Sequence, residues 1–203
     1  LWMASQNGHA EVVKLLLQKD AQVDVNLTPD GVTALMMASQ EGHAEVVKLP
    51  LAKRGAQVDG KRTTDGATAL RNASQNGHTA VVKLLLEKGA QVDVRDTTND
   101  TTALWMASQN GHAEVVKLLL EKGAQVDVKD ATNDTTALWM ASQNGHAEVV
   151  KLLLEKGAQV DVKQTATGVT PLMMASQEGH AGVVKLLLEK GAEHDVKRTT
   201  DDG

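Results

Sequence analysis

The sequence predicts an all-α solenoid of stacked helix–turn–helix units, and three observations lead to this fold class. The dipeptide Gly-His recurs every 34 or 35 residues along the 203-residue chain, at Gly8, Gly42, Gly77, Gly111, Gly145 and Gly179. The residues around the dipeptide recur with it, and a fixed period of this length is typical of a repeat array. The chain has no Phe, no Tyr and only 3 Trp, which favours thin layers of small aliphatic side chains over one thick core.

The period divides the chain into six copies, and the first is truncated because Leu1 already lies within the segment that opens the other copies. A single copy cannot bury its apolar face alone, so each copy must stack on the next. We expect the copies to form one domain over residues 1–203. Their approximate bounds are 1–30, 31–65, 66–99, 100–133, 134–167 and 168–203.

The first helix of a copy is clearest in the fourth, where we predict it over residues 103–110. Thr102 precedes it and suits the N-cap, because a hydroxyl oxygen can accept a hydrogen bond from a free backbone N–H of the first turn. Leu104 and Ala107 share one face at helical spacing. Gly111 follows at the point where a left-handed residue ends a helix.

The second helix is predicted over residues 113–122 of the same copy. Its wide apolar face consists of Val115, Val116, Leu118, Leu119 and Leu120, and its opposite face carries Glu114, Lys117 and Glu121. Gly123 supplies the stop. Because neither helix is long enough to be stable alone in water, the fold depends on stacking.

An extended connector follows each second helix and ends in a polar tip, where most differences between copies lie. The tips are Leu27-Thr28-Pro29-Asp30, Arg62-Thr63-Thr64-Asp65, Thr97-Thr98-Asn99-Asp100, Ala131-Thr132-Asn133-Asp134 and Gln164-Thr165-Ala166-Thr167. Variation confined to loops on one side fits a scaffold with a varied binding face, and it also fits neutral drift.

Composition and charge exclude several classes of function. The formal net charge of -5 argues against a nucleic-acid binder and against docking on anionic lipid. The absence of Cys excludes disulfides, thiolate metal sites and a cysteine nucleophile. We find neither an apolar run of about 18 residues nor the pattern of a signal peptide. We therefore expect a cytoplasmic protein, with the nucleus as an alternative.

The repeated run T-A-L-x-x-A-S-x-x-G-H-x-x-V-V-x-x-L-L-x-x-G-A resembles the ankyrin repeat, and the match covers nearly the whole chain. The resemblance implies helix–loop–helix units linked by β-hairpin tips that project at about a right angle. It also implies a partner protein bound on a concave face made of the hairpin tips and first helices.

The chain departs from the family pattern at three places. Its period is 34 rather than about 33 residues, and the extra residue falls in the hairpin. The His that follows Pro-Leu in the family is absent from every copy, which questions the hydrogen bond it makes between repeats. Only Pro171 keeps the family proline.

The Gly-His histidines are predicted to brace the loop between the helices, as the resemblance implies. Neighbouring helices lie about 8 to 10 Å apart, while zinc sits about 2 Å from a ligating nitrogen. One ion therefore cannot be shared between copies, and we expect neither metal nor cofactor. Ser5, Ser39 and their equivalents replace a small core Ala, so we predict no nucleophile and no enzyme activity.

Partner-binding candidates come from the first helices and the tips. One position of each first helix holds Trp2, Met36, Arg71, Trp105, Trp139 or Met173. We predict that the residue after it is a packing residue of the core. Trp and Arg are frequent hot-spot residues, although packing between repeats is an equal alternative. A ladder one turn further on consists of Gln6, Gln40, Gln75, Gln109, Gln143 and Gln177. Its alternative is a solvated polar row. The tip carboxylates Asp65, Asp100 and Asp134 complete the set.

The region around Pro50 departs most from the repeat. Pro50 replaces a mid-helix Leu and removes a backbone donor. We predict a kinked or loosened joint over residues 49–55. A functional hinge and a degenerate repeat are alternatives to tolerated damage, which we favour.

The sequence thus favours non-catalytic recognition of a partner protein of unknown identity. One alternative is a structural or elastic spacer segment of a longer array. Another is an engineered repeat scaffold with no natural partner. Because neither terminal copy shows a polar outer face, end-to-end self-association is a further expectation.

Overall fold

A computed structural model describes residues 1–19, 21–22, 29–53 and 55–194. Within those ranges the chain forms twelve helices and no β-strand. The first helices of the copies are α1 Trp2–Gln6, α3 Ala34–Gln40, α5 Ala69–Gln75, α7 Ala103–Gln109, α9 Ala137–Gln143 and α11 Pro171–Gln177. The second helices are α2 Ala10–Gln18, α4 Ala44–Leu51, α6 Thr79–Glu87, α8 Ala113–Glu121, α10 Ala147–Glu155 and α12 Ala181–Glu189. The predicted all-helical repeat fold is confirmed.

The chain comprises two compact units, Leu1–Thr98 and Asn99–Gly203. In the first unit, α1, α3 and α5 pack in series, α2, α4 and α6 pack in series, and each first helix packs on its own second helix. The second unit repeats this arrangement with α7 to α12. Each copy therefore buries its apolar face against its neighbour in the same unit. The single domain over residues 1–203 stays a prediction.

Threonine hydroxyls cap five of the first helices, α3, α5, α7, α9 and α11. The Trp105 N–H donates to Thr102 Oγ1 at 3.2 Å, and α7 starts at the next residue. The same cap is present at Thr33, Thr68, Thr136 and Thr170. Gly111 follows α7 with φ 75°, which is the left-handed conformation expected of it. Helix α7 ends one residue before the predicted Asn110.

The second helices share the core with the first helices, whose Leu70, Leu104 and Leu138 are also fully buried. In α8, Val116 and Leu119 are fully buried, whereas Glu114 and Lys117 are exposed on the opposite face. Gly123, with φ 85°, follows the helix as predicted. The core is therefore built from thin aliphatic layers, as the near-absence of aromatic residues indicated.

Five serine hydroxyls lie within these layers. Ser5, Ser39, Ser74, Ser108 and Ser142 are fully buried. Among the described residues, none of these hydroxyls has a hydrogen-bond partner. Such a position suits a packing residue, because a nucleophile must reach a substrate and a base.

The expected β-hairpins are absent from the described tips, which are tight turns. In the fourth copy, one backbone bond closes the turn, from the Asp130 N–H to the Thr135 carbonyl oxygen at 3.0 Å. The Asp130 carboxylate also accepts the Thr135 N–H at 2.6 Å and the Thr135 hydroxyl at 2.8 Å. A side chain therefore supplies the acceptors that a strand ladder would otherwise provide.

The predicted joint around Pro50 is a shortened helix end. Pro50 is buried inside α4, which has 8 residues where the second helices of the later copies have 9. The Ala52 N–H then bonds the Lys48 carbonyl oxygen at 3.0 Å. Lys53 Nζ donates to the Leu17 carbonyl oxygen at 2.9 Å and ties this end to α2. Arg54, also within the predicted joint, lies outside the described residues.

No helix in the described part of the chain combines the length and hydropathy needed to cross a membrane.

Candidate partner-binding groove

Four of the Gly-His histidines join their own copy to the one before it within the same unit. His146 Nε2–H donates to the Gln109 carbonyl oxygen at 3.0 Å, and His180 bonds Gln143 in the same way at 2.9 Å. A β-carbon on Gly111 would lie 2.5 Å from His146 Nδ1, so the imidazole requires glycine beneath it. In the first unit, His43 and His78 make the corresponding bonds to Gln6 and Gln40. The sequence predicts that these histidines brace the loop of their own copy, whereas the bonds of these four join successive copies.

A second connection between copies was not identified from the sequence. Asp127 Oδ1 accepts the Gln159 N–H at 3.0 Å, and Asp161 Oδ1 accepts the Glu193 N–H at 3.1 Å. Asp59 does the same for the Gln91 N–H in the first unit. The sequence feature that could have revealed this connection is the Asp that recurs in the connector, immediately after the Gln-Val pair. Together with the histidines, these bonds hold the copies in fixed register and so support a preformed surface.

A groove of about 410 Å³ opens in the second unit, between the tips and helices α7 and α9. Its walls include Trp105, Gln109, Asp130, Trp139 and Gln143. Four of these are candidates from the sequence, and the fold brings them together from two successive copies. The tip residues Asn99, Thr132 and Asn133 form the rim.

The two tryptophans of the groove differ in environment. Trp139 is only 6% exposed and packs against Met140, Val169 and Met174. Its Nε1–H donates to the Val169 carbonyl oxygen at 3.2 Å. Trp139 is therefore mainly a packing residue that forms a fixed wall. Trp105 is half-buried, and no described residue accepts a hydrogen bond from its shielded Nε1–H.

Asp130 brings a carboxylate into this groove. The residue is 5% exposed, and besides Thr135 it receives the N–H groups of Thr132 and Asn133 at 3.3 Å. All of these donors are neutral, and no lysine or arginine in the described ranges forms an ion pair with it. A buried carboxylate without a cation attracts positive charge into the space that it faces.

The first unit holds a cation at the corresponding position. Arg71 stands on α5 where Trp105 stands on α7, and Arg71 Nε lies 3.3 Å from Oδ2 of the buried Asp96. Arg71 is therefore engaged within the chain. Met36, at the same position of α3, is buried. A buried side chain presents little area to a partner, and a binding role for Met36 stays a prediction.

The remaining candidates of the first unit lie on or near its surface. Trp2, Gln6 and Gln40 are half-buried and Gln75 is exposed. The Asp65 carboxylate accepts the Arg62 Nε–H at 2.7 Å. The Arg62 hydrogen bond lowers the pKa of Asp65 below its ordinary value, against an opposing effect of burial, and the Ala67 N–H adds to the lowering.

The other candidates of the second unit lie outside the groove walls. Asp100 and Asp134 occupy their tips with φ 59° and 57°, where other copies have Gly. Asp134 accepts a hydrogen bond from the Thr165 hydroxyl in the next tip. Met173 and Gln177 line a separate hollow of about 530 Å³ on α11 and α12.

No group of three or more His, Asp or Glu side chains in the described ranges is arranged to hold a metal ion.

The chain consists of stacked helix pairs joined by Gly-His contacts, with a groove between tips and first helices. This arrangement defines a class of repeat protein. A family profile for ankyrin repeats (3 copies) matches residues 1–62, 51–130 and 125–198. The chain belongs to the ankyrin repeat family, whose members are generally protein–protein interaction modules.

Among solved structures, the chain is similar to the crystal structure of the human ASB11 ankyrin repeat domain. The two share 30% sequence identity with a TM-score of 0.87, and the match covers 98% of this chain and 86% of that chain. A search of curated proteins gives no match.

Proposed function

We propose that this chain is a non-catalytic recognition module and that it binds a partner protein in the groove of the second unit. The observation that carries the proposal is the convergence of Trp105, Gln109 and Gln143 with the tip residues on one recess of about 410 Å³. A half-buried indole beside amide groups offers both apolar area and hydrogen bonds, which is the composition of an interface hot spot.

The register of the copies supports this function. His146 and Asp127 hold successive copies together through bonds of 3.0 Å each, so the groove walls are in place before a partner arrives. A preformed surface loses little conformational entropy on binding, and more of the contact energy remains as affinity. The walls Trp139 and Met140 are buried and packed, which adds to this rigidity.

A paired pull-down with identification by mass spectrometry tests the proposal. The first bait is the chain itself, and the second carries Trp105→Ala, Gln109→Ala and Gln143→Ala in the groove. A matched control carries three alanines at Lys117, Lys151 and Lys185, which are exposed on the second helices. Circular dichroism and thermal unfolding establish that all three baits are folded.

We expect proteins that the chain and the lysine control retain and the groove variant loses. Retention that is equal on all three baits would contradict binding at the groove. The absence of any specific protein would instead favour a spacer or an engineered scaffold without a natural partner.

We also propose that this chain self-associates end to end, because two faces of its helices expose apolar side chains that other copies bury. Met3 on α1 is 71% exposed, whereas Met106 at the same position of α7 is 7% exposed. Leu188 on α12 is 45% exposed, whereas Leu154 on α10 is 8% exposed. We expect the mass from light scattering to rise with concentration for the chain and to stay monomeric for Met3→Lys or Leu188→Lys. A monomer at every concentration would contradict the proposal.

A further inference from the structure

One position that lines the groove of the second unit can be compared with the corresponding position of the first unit. Arg71 and Trp105 are each the third residue of their first helix. Asp96 and Asp130 each lie six residues before the capping threonine of the following copy, Thr102 or Thr136. Asp96 therefore lies beside an arginine in the first unit, whereas Asp130, at the corresponding position, lines one groove together with a tryptophan in the second.

The first unit shows what this position accommodates. Arg71 lies within ion-pair distance of Asp96, with Nε 3.3 Å from Oδ2, and both side chains are largely buried. The helix and the tip are therefore spaced to receive a guanidinium beside the acid. Since the second unit has the same helix length and the same cap, its spacing suits the same group.

The second unit contains the acid and the space, but no lysine or arginine among its described residues pairs with Asp130. Asp130 is satisfied only by neutral N–H and O–H donors, and it lines the groove together with Trp105. We propose that this groove binds an arginine side chain of the partner, with its guanidinium beside Asp130 and against the indole of Trp105. This inference rests on the proposed function, because it names the partner chemistry of the same groove.

Arginine fits better than lysine for two physical reasons. A planar guanidinium stacks on an aromatic ring and presents forked donors to a carboxylate, whereas an ammonium is a strongly hydrated point charge. The amide oxygens of Gln109 and Gln143, which also line the groove, can accept the remaining guanidinium N–H groups. The net charge of -5 further favours the approach of a basic partner segment.

The test uses the whole chain and two small probes, N-acetyl-arginine methylamide and its citrulline analogue. Citrulline has almost the same shape but carries no charge. Binding is followed by NMR through the indole N–H signals of Trp105 and Trp139, and the Trp2 signal in the first unit serves as the internal control. We expect saturable shifts at the groove and an affinity for the arginine probe at least about tenfold above that for citrulline.

Two variants locate the binding position. Trp105→Arg reproduces the arrangement of the first unit, fills the space beside Asp130 and should abolish the probe-induced shift of Trp139. Asp130→Gln, which copies Gln164 of the next copy, should weaken arginine binding about tenfold and leave citrulline unchanged. Thermal unfolding controls for the fold, and Trp105→Arg remains a valid test if Asp130→Gln disturbs the tip.

Three outcomes would overturn the inference. These are equal binding of the two probes, unchanged binding by a folded Trp105→Arg, and the absence of any shift at Trp105 and Trp139. If the pull-down still finds a groove-dependent partner, only the arginine chemistry is wrong. If the pull-down finds none either, the proposed function is wrong as well.

Discussion

The imidazole of His146 lies over the α-carbon of Gly111, so close that a β-carbon there would meet Nδ1 at 2.5 Å. Gly123, one helix further on, has a similar φ of 85°, and a β-carbon on it would have nothing within 4 Å. Gly111 is therefore required both for its left-handed backbone and for the space that the imidazole occupies, whereas Gly123 is required for its left-handed backbone alone.

We predict that Gly111→Ala destabilises the chain by about 2 to 3 kcal/mol. The left-handed backbone costs an alanine about 1 to 2 kcal/mol, and displacing the imidazole loses its bond to Gln109, worth about 1 kcal/mol more. Gly123→Ala should cost only the backbone part. Urea unfolding of both variants measures the difference, and equal costs would show that the imidazole moves away freely.

We predict that Ser108→Ala and Ser142→Ala each stabilise the chain by about 1 kcal/mol. Both hydroxyls are buried and have no partner among the described residues, and such groups keep the cost of leaving water. Ser176→Ala is the matched control, since Ser176 is exposed at the same position of α11. The melting temperatures of the three variants, each relative to the unchanged chain, measure the differences in stability. A loss of stability at Ser108 would indicate that its hydroxyl has a partner.

We predict that Pro50→Leu stabilises the first unit by about 1 to 3 kcal/mol. Leucine restores the backbone donor that proline lacks and matches the fully buried Leu85 and Leu119 of later copies. Urea unfolding gives the change in stability, and Leu119→Pro tests the reverse substitution, with an expected loss of about 3 kcal/mol. If Pro50→Leu were neutral, the short end of α4 would be an adapted conformation rather than a defect.

We predict that Arg62→Gln raises the pKa of Asp65, because the Arg62 hydrogen bond is the largest cause of its lowering. A folded pKa below the unfolded value means that the pair stabilises the fold above the ordinary carboxyl pKa of about 3.9. This stabilisation is lost as the pH falls through the lower folded value. Carboxyl NMR titration measures the pKa.

Both side chains of this pair keep part of their surface in solvent, so the pair should contribute about 0.5 kcal/mol at pH 7. The difference in stability between the chain and Arg62→Gln should shrink toward pH 2. A difference that is constant with pH would assign the effect of Arg62 to packing.

The local elements could be predicted because their signals are local. The Thr102 cap and the Gly111 stop act within one turn of their helix, and both lie where the sequence placed them. The β-hairpins were not predictable in the same way. Asp130 takes over the hydrogen bonding of its tip through its side chain, and the expectation of strands came from family resemblance.

The candidate site was less predictable, because identical motifs meet different neighbours. Trp105 and Trp139 lie in the same sequence context, yet only Trp139 bonds Val169. Thr135 stands in the place of Val169 beside Trp105, and its hydroxyl is held by Asp130. The pairing of Arg71 with Asp96 joins a first helix to the tip of the same copy across 25 residues, and no local pattern reveals it, because Trp105 stands at the position of Arg71 in the next copy.

The contact of histidine with glycine makes the two stacking faces of a copy complementary to each other. Each interior copy of a unit presents glycine to the copy after it and histidine to the copy before it, as Gly145 with His180 and His146 with Gly111 show. A duplicated or deleted copy therefore rejoins through the same contact, without a new surface having to evolve. Unequal recombination between the near-identical coding segments could lengthen or shorten such an array in a single step while preserving the fold.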